Sequence, residues 1–241
     1  MKTIYYKDIT DDVVSSSNQE YKLKDNYKWI HKNIFYVVFS YLVYYIILLI
    51  ALIYKLVKGI RYNNKKLLKG RYFIYGNHTS QYGDILNPFL ICFPRRPYLI
   101  CSPANLGIPV IGKLLPMMGA LPIPEDLHGL AKFKKAVEYR SKKGNPIVIY
   151  PEAHLWPYYT KIREFSGVSF HYPVELGTTV YSMTTTYKKK GIDIYIDGPI
   201  YLNNDLNKKE NIELLRLSVL NKMRTRSSLN EVEHIAYKKK D

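Results

Sequence analysis

Arg71-Tyr72-Phe73-Ile74-Tyr75-Gly76-Asn77-His78-Thr79-Ser80-Gln81-Tyr82-Gly83-Asp84 is the stretch on which the fold turns. Tyr72 to Tyr75 form an apolar, strand-like run. A histidine follows almost at once, and a carboxylate stands a few residues beyond it. A second stretch repeats the arrangement. Ile147 to Tyr150 are apolar, and the run ends at Pro151 and delivers Glu152. Open α/β sheets carry their chemistry just outside the carboxyl ends of strands. A histidine oriented by a nearby aspartate is a general base able to take a proton from a hydroxyl.

Working outward, short apolar runs alternate with helical stretches. Strands are expected near 72–76, 97–101, 120–123 and 146–150, with helices near 84–92, 107–117 and 127–142. Strands alternating with helices predict an α/β fold with a mainly parallel mixed sheet flanked by helices. A further apolar run covers Val168 to Val174. Thr178–Tyr187 and Ile192–Ile196 flank Lys188-Lys189-Lys190-Gly191, which reads as a hairpin turn. From Asn207 to Arg226 the residues Ile212, Leu215, Val219, Leu220 and Met223 recur at helical spacing, as in a docking helix.

The 241 residues carry a formal net charge of +16, so an anionic partner is expected. Nucleic acid and an acidic membrane surface are the two usual candidates, and local context favours the membrane. Ile34 to Tyr54 hold no charged residue, about 30 Å of helix at 1.5 Å per residue, which matches one hydrocarbon core. Five tyrosines and a serine within the run leave open whether it spans the bilayer or lies along one leaflet. The run begins too deep, and lacks the small-residue cleavage site, for a signal peptide. Lys55, Lys58, Arg61, Lys65, Lys66 and Lys69 crowd its C-terminal side, which by the positive-inside rule puts the main domain on the cytosolic face. Cys92 and Cys101 form no disulfide framework and sit in no metal-binding pair.

The chain therefore divides into a polar, loosely ordered N-terminal arm (1–33), with a Ser-Ser-Ser-Asn stretch at 15–18, and a hydrophobic membrane segment (34–57). A basic connector leads to the α/β body (70–200), and a C-terminal amphipathic helix with a basic tail follows (201–241). Phosphate-loop and Gly-x-Ser-x-Gly signatures are absent. His78, Asp84, His154 and His171 lack the short His-x-x-x-His spacing of a metal site. Trp156, Tyr158 and Tyr159 could stack nucleobases, but beside an apolar segment they are expected at the lipid interface.

Asn77-His78…Asp84 and Tyr150-Pro151-Glu152 together resemble the Asn-His…Asp and Pro-Glu-Gly motifs of the glycerolipid acyltransferase family. Ile108 to Leu115 and Met118 to Ile123 resemble the segment between them. The resemblance covers about residues 71–200 and implies an acyltransferase domain there. It implies transfer of a fatty acyl group from acyl-CoA or acyl carrier protein to a glycerolipid hydroxyl, with 1-acylglycerol-3-phosphate the usual lysophospholipid acceptor. It implies no metal and no cofactor; no nucleic-acid partner is expected, since local context favours the membrane. By resemblance His78 is the base and Asp84 its orienting partner, while Asn77 and Glu152 belong to substrate binding. Five residues separate His78 from Asp84 where the family has four, and Gly83 could absorb the extra one with φ > 0. Ala153, His154 and Leu155 replace Gly-Thr-Arg, and Pro124, Glu125 and Asp126 stand where an arginine usually grips phosphate. Arg163, then Lys161, are the expected replacements, since an arginine fork suits a phosphate oxygen pair. Two other readings stay open: acylation of another lipid or glycolipid, and a catalytically silent membrane-surface binding protein.

Overall fold

A computed structural model describes residues 1–14, 18 and 20–240; the serines of the Ser-Ser-Ser-Asn stretch lie outside the described residues. In chain order the elements are β1 (Lys2–Tyr6), α1 (Ile34–Lys58), β2 (Ile60–Asn63), β3 (Tyr72–Gly76), α2 (Gly83–Cys92) and β4 (Tyr98–Cys101). Then come α3 (Ile111–Met118), β5 (Ala120–Pro122), α4 (Leu127–Lys142), β6 (Ile147–Ile149), α5 (His171–Leu176), β7 (Thr179–Tyr187), β8 (Ile192–Ile200), α6 (Lys208–Ser227) and β9 (Ile235–Lys239). Seven strands form one sheet in the order β2-β8-β7-β3-β6-β4-β5. Every neighbouring pair is parallel except the β7–β8 hairpin. The α/β class with a mainly parallel sheet is thus as the sequence predicts.

β3 lies at the centre, which explains its unbroken apolar run: a strand covered on both faces has no side to leave polar. Phe73 and Tyr75 pack with Phe133 and Val137 of α4 and with Leu215, Val219 and Met223 of α6. Tyr72 and Ile74 face the other way, against Tyr181, Met183, Ile194 and Ile91. The helix ends follow local chemistry. Asp126 accepts the Gly129 N–H at 2.7 Å to start α4, and Asn207 with Glu210 forms a capping box on α6.

The flanks depart from expectation. Described residues of the arm, which was read as loose, are tied to the rest of the protein: β1 pairs in parallel with β9, and the indole of Trp29 donates to the Pro122 carbonyl at 2.9 Å. That pairing joins the two ends of the chain, a contact no local pattern encodes. The basic connector likewise holds β2, an edge strand on β8.

Helix α1 is capped by Asn33, whose side chain accepts the Tyr36 N–H, and by Gly59 in the left-handed conformation. A narrow stripe of it, Ser40, Val43, Tyr44 and Ala51, is buried. Tyr44 packs with Phe89 of α2, and Leu90 and Met118 lie in the same cluster. Elsewhere its surface is apolar and bare: Phe35, Val38, Leu42, Tyr45, Leu49, Ile53 and Leu56 are all exposed.

Candidate active site at the end of the central strand

The main chain leaves β3 at Gly76, where a Cβ would stand 2.6 Å from the Tyr150 ring and 2.9 Å from the Met183 methyl. Only glycine fits there. Asn77 then continues the sheet with its side chain: Oδ1 accepts the Thr185 N–H at 2.8 Å and Nδ2 donates to the Thr185 carbonyl at 3.1 Å. These bonds fix the direction in which His78 leaves the strand.

His78 Nδ1 lies 2.8 Å from Asp84 Oδ2, and its imidazole is 23% exposed. Nε2 forms no hydrogen bond among the described residues. With Asp84 ionised, Nδ1 carries the proton and Nε2 keeps its lone pair towards the open side. Asp84 sits buried in the first turn of α2, where its carboxylate also accepts the Ser80 N–H at 2.9 Å. Burial, above all, raises the Asp84 carboxyl above its ordinary value, while the bond from His78 opposes the shift.

The five-residue spacing is closed by the turn 79–82, with the Asp84 N–H on the Ser80 carbonyl at 2.9 Å. Gly83 is not among the glycines with positive φ, which corrects the expected reason for its presence. It is needed for space: a Cβ would lie 2.4 Å from Ser80 Oγ and 2.9 Å from Asn87 Nδ2. Tyr150 adds a support that sequence reasoning missed. Its ring stacks on His78, with centroids 4.9 Å apart, and its hydroxyl donates to the Asp84 carbonyl at 2.5 Å. Its position beside Pro151-Glu152, just past the end of β6, was the available signal.

Glu152 is buried behind the histidine. Oε2 accepts the His78 N–H at 3.2 Å and an Arg163 Nη at 3.1 Å, and Oε1 accepts the Arg163 N–H at 3.1 Å. Arg163 also donates to the carbonyls of Ile9 and His154 and lies 4.7 Å from the Trp156 ring centre. Its guanidinium, expected on an acceptor phosphate, is therefore enclosed and engaged inside the protein. Lys161 is exposed. Of the four residues read as substrate-binding, the structure brings Glu152 and Arg163 together, ties Asn77 to β7, and leaves Lys161 on the surface.

Trp156, expected at a lipid interface, is fully buried. Its indole N–H donates to the Asp11 carbonyl at 2.9 Å, and its ring stacks on Tyr237 of β9 with centroids 5.0 Å apart. The Glu152 loop is thus clamped between His78, whose carbonyl accepts the Trp156 N–H at 3.1 Å, and the paired chain ends. On the other side, the Tyr54 hydroxyl of α1 comes within 3.5 Å of Ser80 Oγ, so the apolar helix ends beside the dyad.

A strand-end histidine with a buried aspartate and an open Nε2 can accept and return a proton. A family model described as Acyltransferase matches residues 57–186, more than half of the chain and the whole of this site, and the chain belongs to that family. Among solved structures it is similar to the 1-acyl-sn-glycerophosphate (LPA) acyltransferase PlsC from Thermotoga maritima, at 14% identity and a TM-score of 0.47. That similarity covers 67% of this chain and 71% of the other. No curated protein matches the chain at a significant level.

Proposed function

We propose that the protein transfers a fatty acyl group from a thioester, acyl-CoA or acyl carrier protein, to the hydroxyl of a glycerolipid. The observation that carries this reading is the His78–Asp84 pair at 2.8 Å with Nε2 open, within an acyltransferase domain. His78 Nε2 takes the proton of the acceptor hydroxyl as its oxygen attacks the thioester carbonyl. The tetrahedral adduct collapses, the carbon–sulfur bond breaks, and the imidazolium returns its proton to the departing thiolate. Asp84 holds the tautomer and stabilises the imidazolium between the two proton transfers. No acyl-enzyme forms, because the attacking oxygen belongs to the acceptor.

Glu152 and Arg163 act through position in this reading. They hold the His78 backbone and the loop behind it and do not touch substrate. 1-Acylglycerol-3-phosphate, giving phosphatidic acid, is the acceptor the family resemblance favours, and exposed Lys161 is the remaining candidate for its phosphate. Release of free thiol from acyl-CoA across a panel of phosphorylated and neutral lysolipids, wild type against His78→Ala, tests the reading. Acceptor-dependent release lost in His78→Ala is expected; thiol release indifferent to acceptor and to His78 removes it.

Membrane attachment is part of the proposal. Among the described residues one helix, Ile34–Lys58, is long and apolar enough to cross a bilayer. Its inner stripe touches the domain from Ser40, bonded to Arg96, to Tyr54, beside Ser80. Those fourteen steps amount to roughly 21 Å of helix axis. A helix fastened along that length cannot cross a hydrocarbon core of about 30 Å without drawing the domain into it. The bare apolar face supports a helix lying in one leaflet, with the catalytic domain on the cytosolic face of the cell membrane and the lipid acceptor delivered beside Tyr54.

A further inference from the structure

Two arginines share one aromatic ring at the end of the strands opposite to the one His78 follows. Arg96, just before β4, has its guanidinium 5.3 Å from the centre of the Tyr98 ring. Arg140, in the last turn of α4, lies 4.4 Å from the same centre. The two cations are therefore within about 10 Å of each other, a Debye length at 0.1 M salt. Among the described residues neither forms an ion pair. Arg96 is only 7% exposed; it donates to Ser40 Oγ at 3.0 Å and to the Met117 carbonyl, and its Nε is buried without a partner. The guanidinium of Arg140 makes no hydrogen bond among the described residues, and its Nε too is buried without a partner. His31, stacked on Tyr36 with centroids 3.8 Å apart, is held below the ordinary imidazole range chiefly by burial, and the charge of Arg140 acts in the same direction.

Two guanidinium groups without a counter-charge, one nearly enclosed, are costly to hold even against aromatic faces unless an anion completes them. The planar fork of Arg140 suits a tetrahedral oxyanion, and Arg96 adds its charge from within about 10 Å. Tyr98 pairs with Ile147, which pairs with Phe73, five residues before His78, so the cluster stands roughly 17 Å from the dyad at 3.3 Å per strand residue. It is a separate site. Beside it the first turns of α1 present Ile34, Phe35, Val38 and Tyr41 exposed.

We propose that Arg96 and Arg140 form a second, non-catalytic anion site that takes a phosphate group, supplied by the headgroup of an anionic phospholipid whose acyl chains lie along the bare face of α1. The lipid source rests on the in-plane reading of α1; the anion site itself does not.

The test compares binding of the full chain to vesicles of phosphatidylcholine alone and of phosphatidylcholine with phosphatidylglycerol, and titrates soluble glycerol 3-phosphate by calorimetry. Arg140→Gln should weaken binding to the phosphatidylglycerol vesicles on the order of tenfold, the loss of one charge-assisted contact, and leave binding to pure phosphatidylcholine unchanged. Lys209→Gln, on the exposed face of α6, is the control for diffuse charge and should change little. Equal losses in Arg140→Gln and Lys209→Gln, or an equal loss on neutral vesicles, overturns the site. If the wild type binds no vesicle, the in-plane reading fails. Glycerol 3-phosphate binding that is lost in Arg140→Gln then keeps the site with a soluble phosphate as its source, and no such binding overturns it. Should Arg140→Gln not fold, Arg140→Lys, which keeps the charge and loses the fork, is read on the same scale.

Discussion

The backbone N–H of His78 donates to the Glu152 carboxylate at 3.2 Å, so the residue that would move the proton is held from behind by the residue that anchors the next loop. The two come from the ends of adjacent parallel strands, β3 and β6, and meet only because those strands are in register. Glu152 is in turn held by Arg163.

Removing the imidazole tests the base directly. His78→Ala should lower turnover by on the order of 10² or more in a protein that still unfolds cooperatively, the lost stacking on Tyr150 and bond to Asp84 showing only as a lower melting temperature. Turnover near wild type in a folded variant excludes His78 as the base.

Asp84→Asn should separate activity from stability. An amide at this position favours the wrong histidine tautomer, and kcat should fall on the order of 10²–10⁴. Because burial raises the folded-state pKa of Asp84, its contribution to stability is fully present below the ordinary carboxylate pKa of about 3.9 and is lost as pH rises through the folded value. Wild type and Asp84→Asn should therefore melt alike near that acid limit. At neutral pH the asparagine variant should be the more stable. A melting-temperature difference that shrinks with rising pH contradicts this.

Glu152→Gln leaves the Arg163 guanidinium buried without its counter-charge. Breaking a buried pair costs about 3–5 kcal/mol, to be read from urea unfolding. Arg163→Ala should lower kcat with phosphorylated and neutral acceptors alike, because the arginine supports the loop. A rise in KM confined to phosphorylated acceptors would return Arg163 to the phosphate.

Spin labels at positions 35, 42, 49 and 56, all on the bare side of α1, distinguish the two membrane geometries. An in-plane helix gives one shallow depth at all four. A spanning helix gives a maximum near 49 and water exposure at both ends. Either geometry predicts retention after a high-salt wash, because burial in lipid is not screened by ions.

Much of the sheet was legible because its signals are short-range. The unbroken run of β3, the Pro151 stop after β6, the Lys188–Gly191 turn between β7 and β8, and the spacing of Leu215, Val219 and Met223 are each read within one element. His78 and Asp84 stood out for the same reason, lying six residues apart at a strand end. Trp156 and Arg163 did not. Each is polar-tipped and sits in a loop, and from the chain alone each reads as surface. Their burial depends on Asp11, Ile9 and Tyr237, which arrive from the two ends of the chain.

The sequence by itself determined most strands and helices of the α/β body, that His78 and Asp84 stand together at a strand end, and that the 34–57 segment is apolar enough for lipid, because periodicity, caps and local spacing act over a few residues. Only the tertiary structure decided that Arg163 pairs with Glu152, that Asn77 completes the sheet, that the chain ends close over the Glu152 loop, and that α1 is fastened along its length to the domain. Each of these depends on groups far apart in sequence, whose partners exist only once the chain has folded.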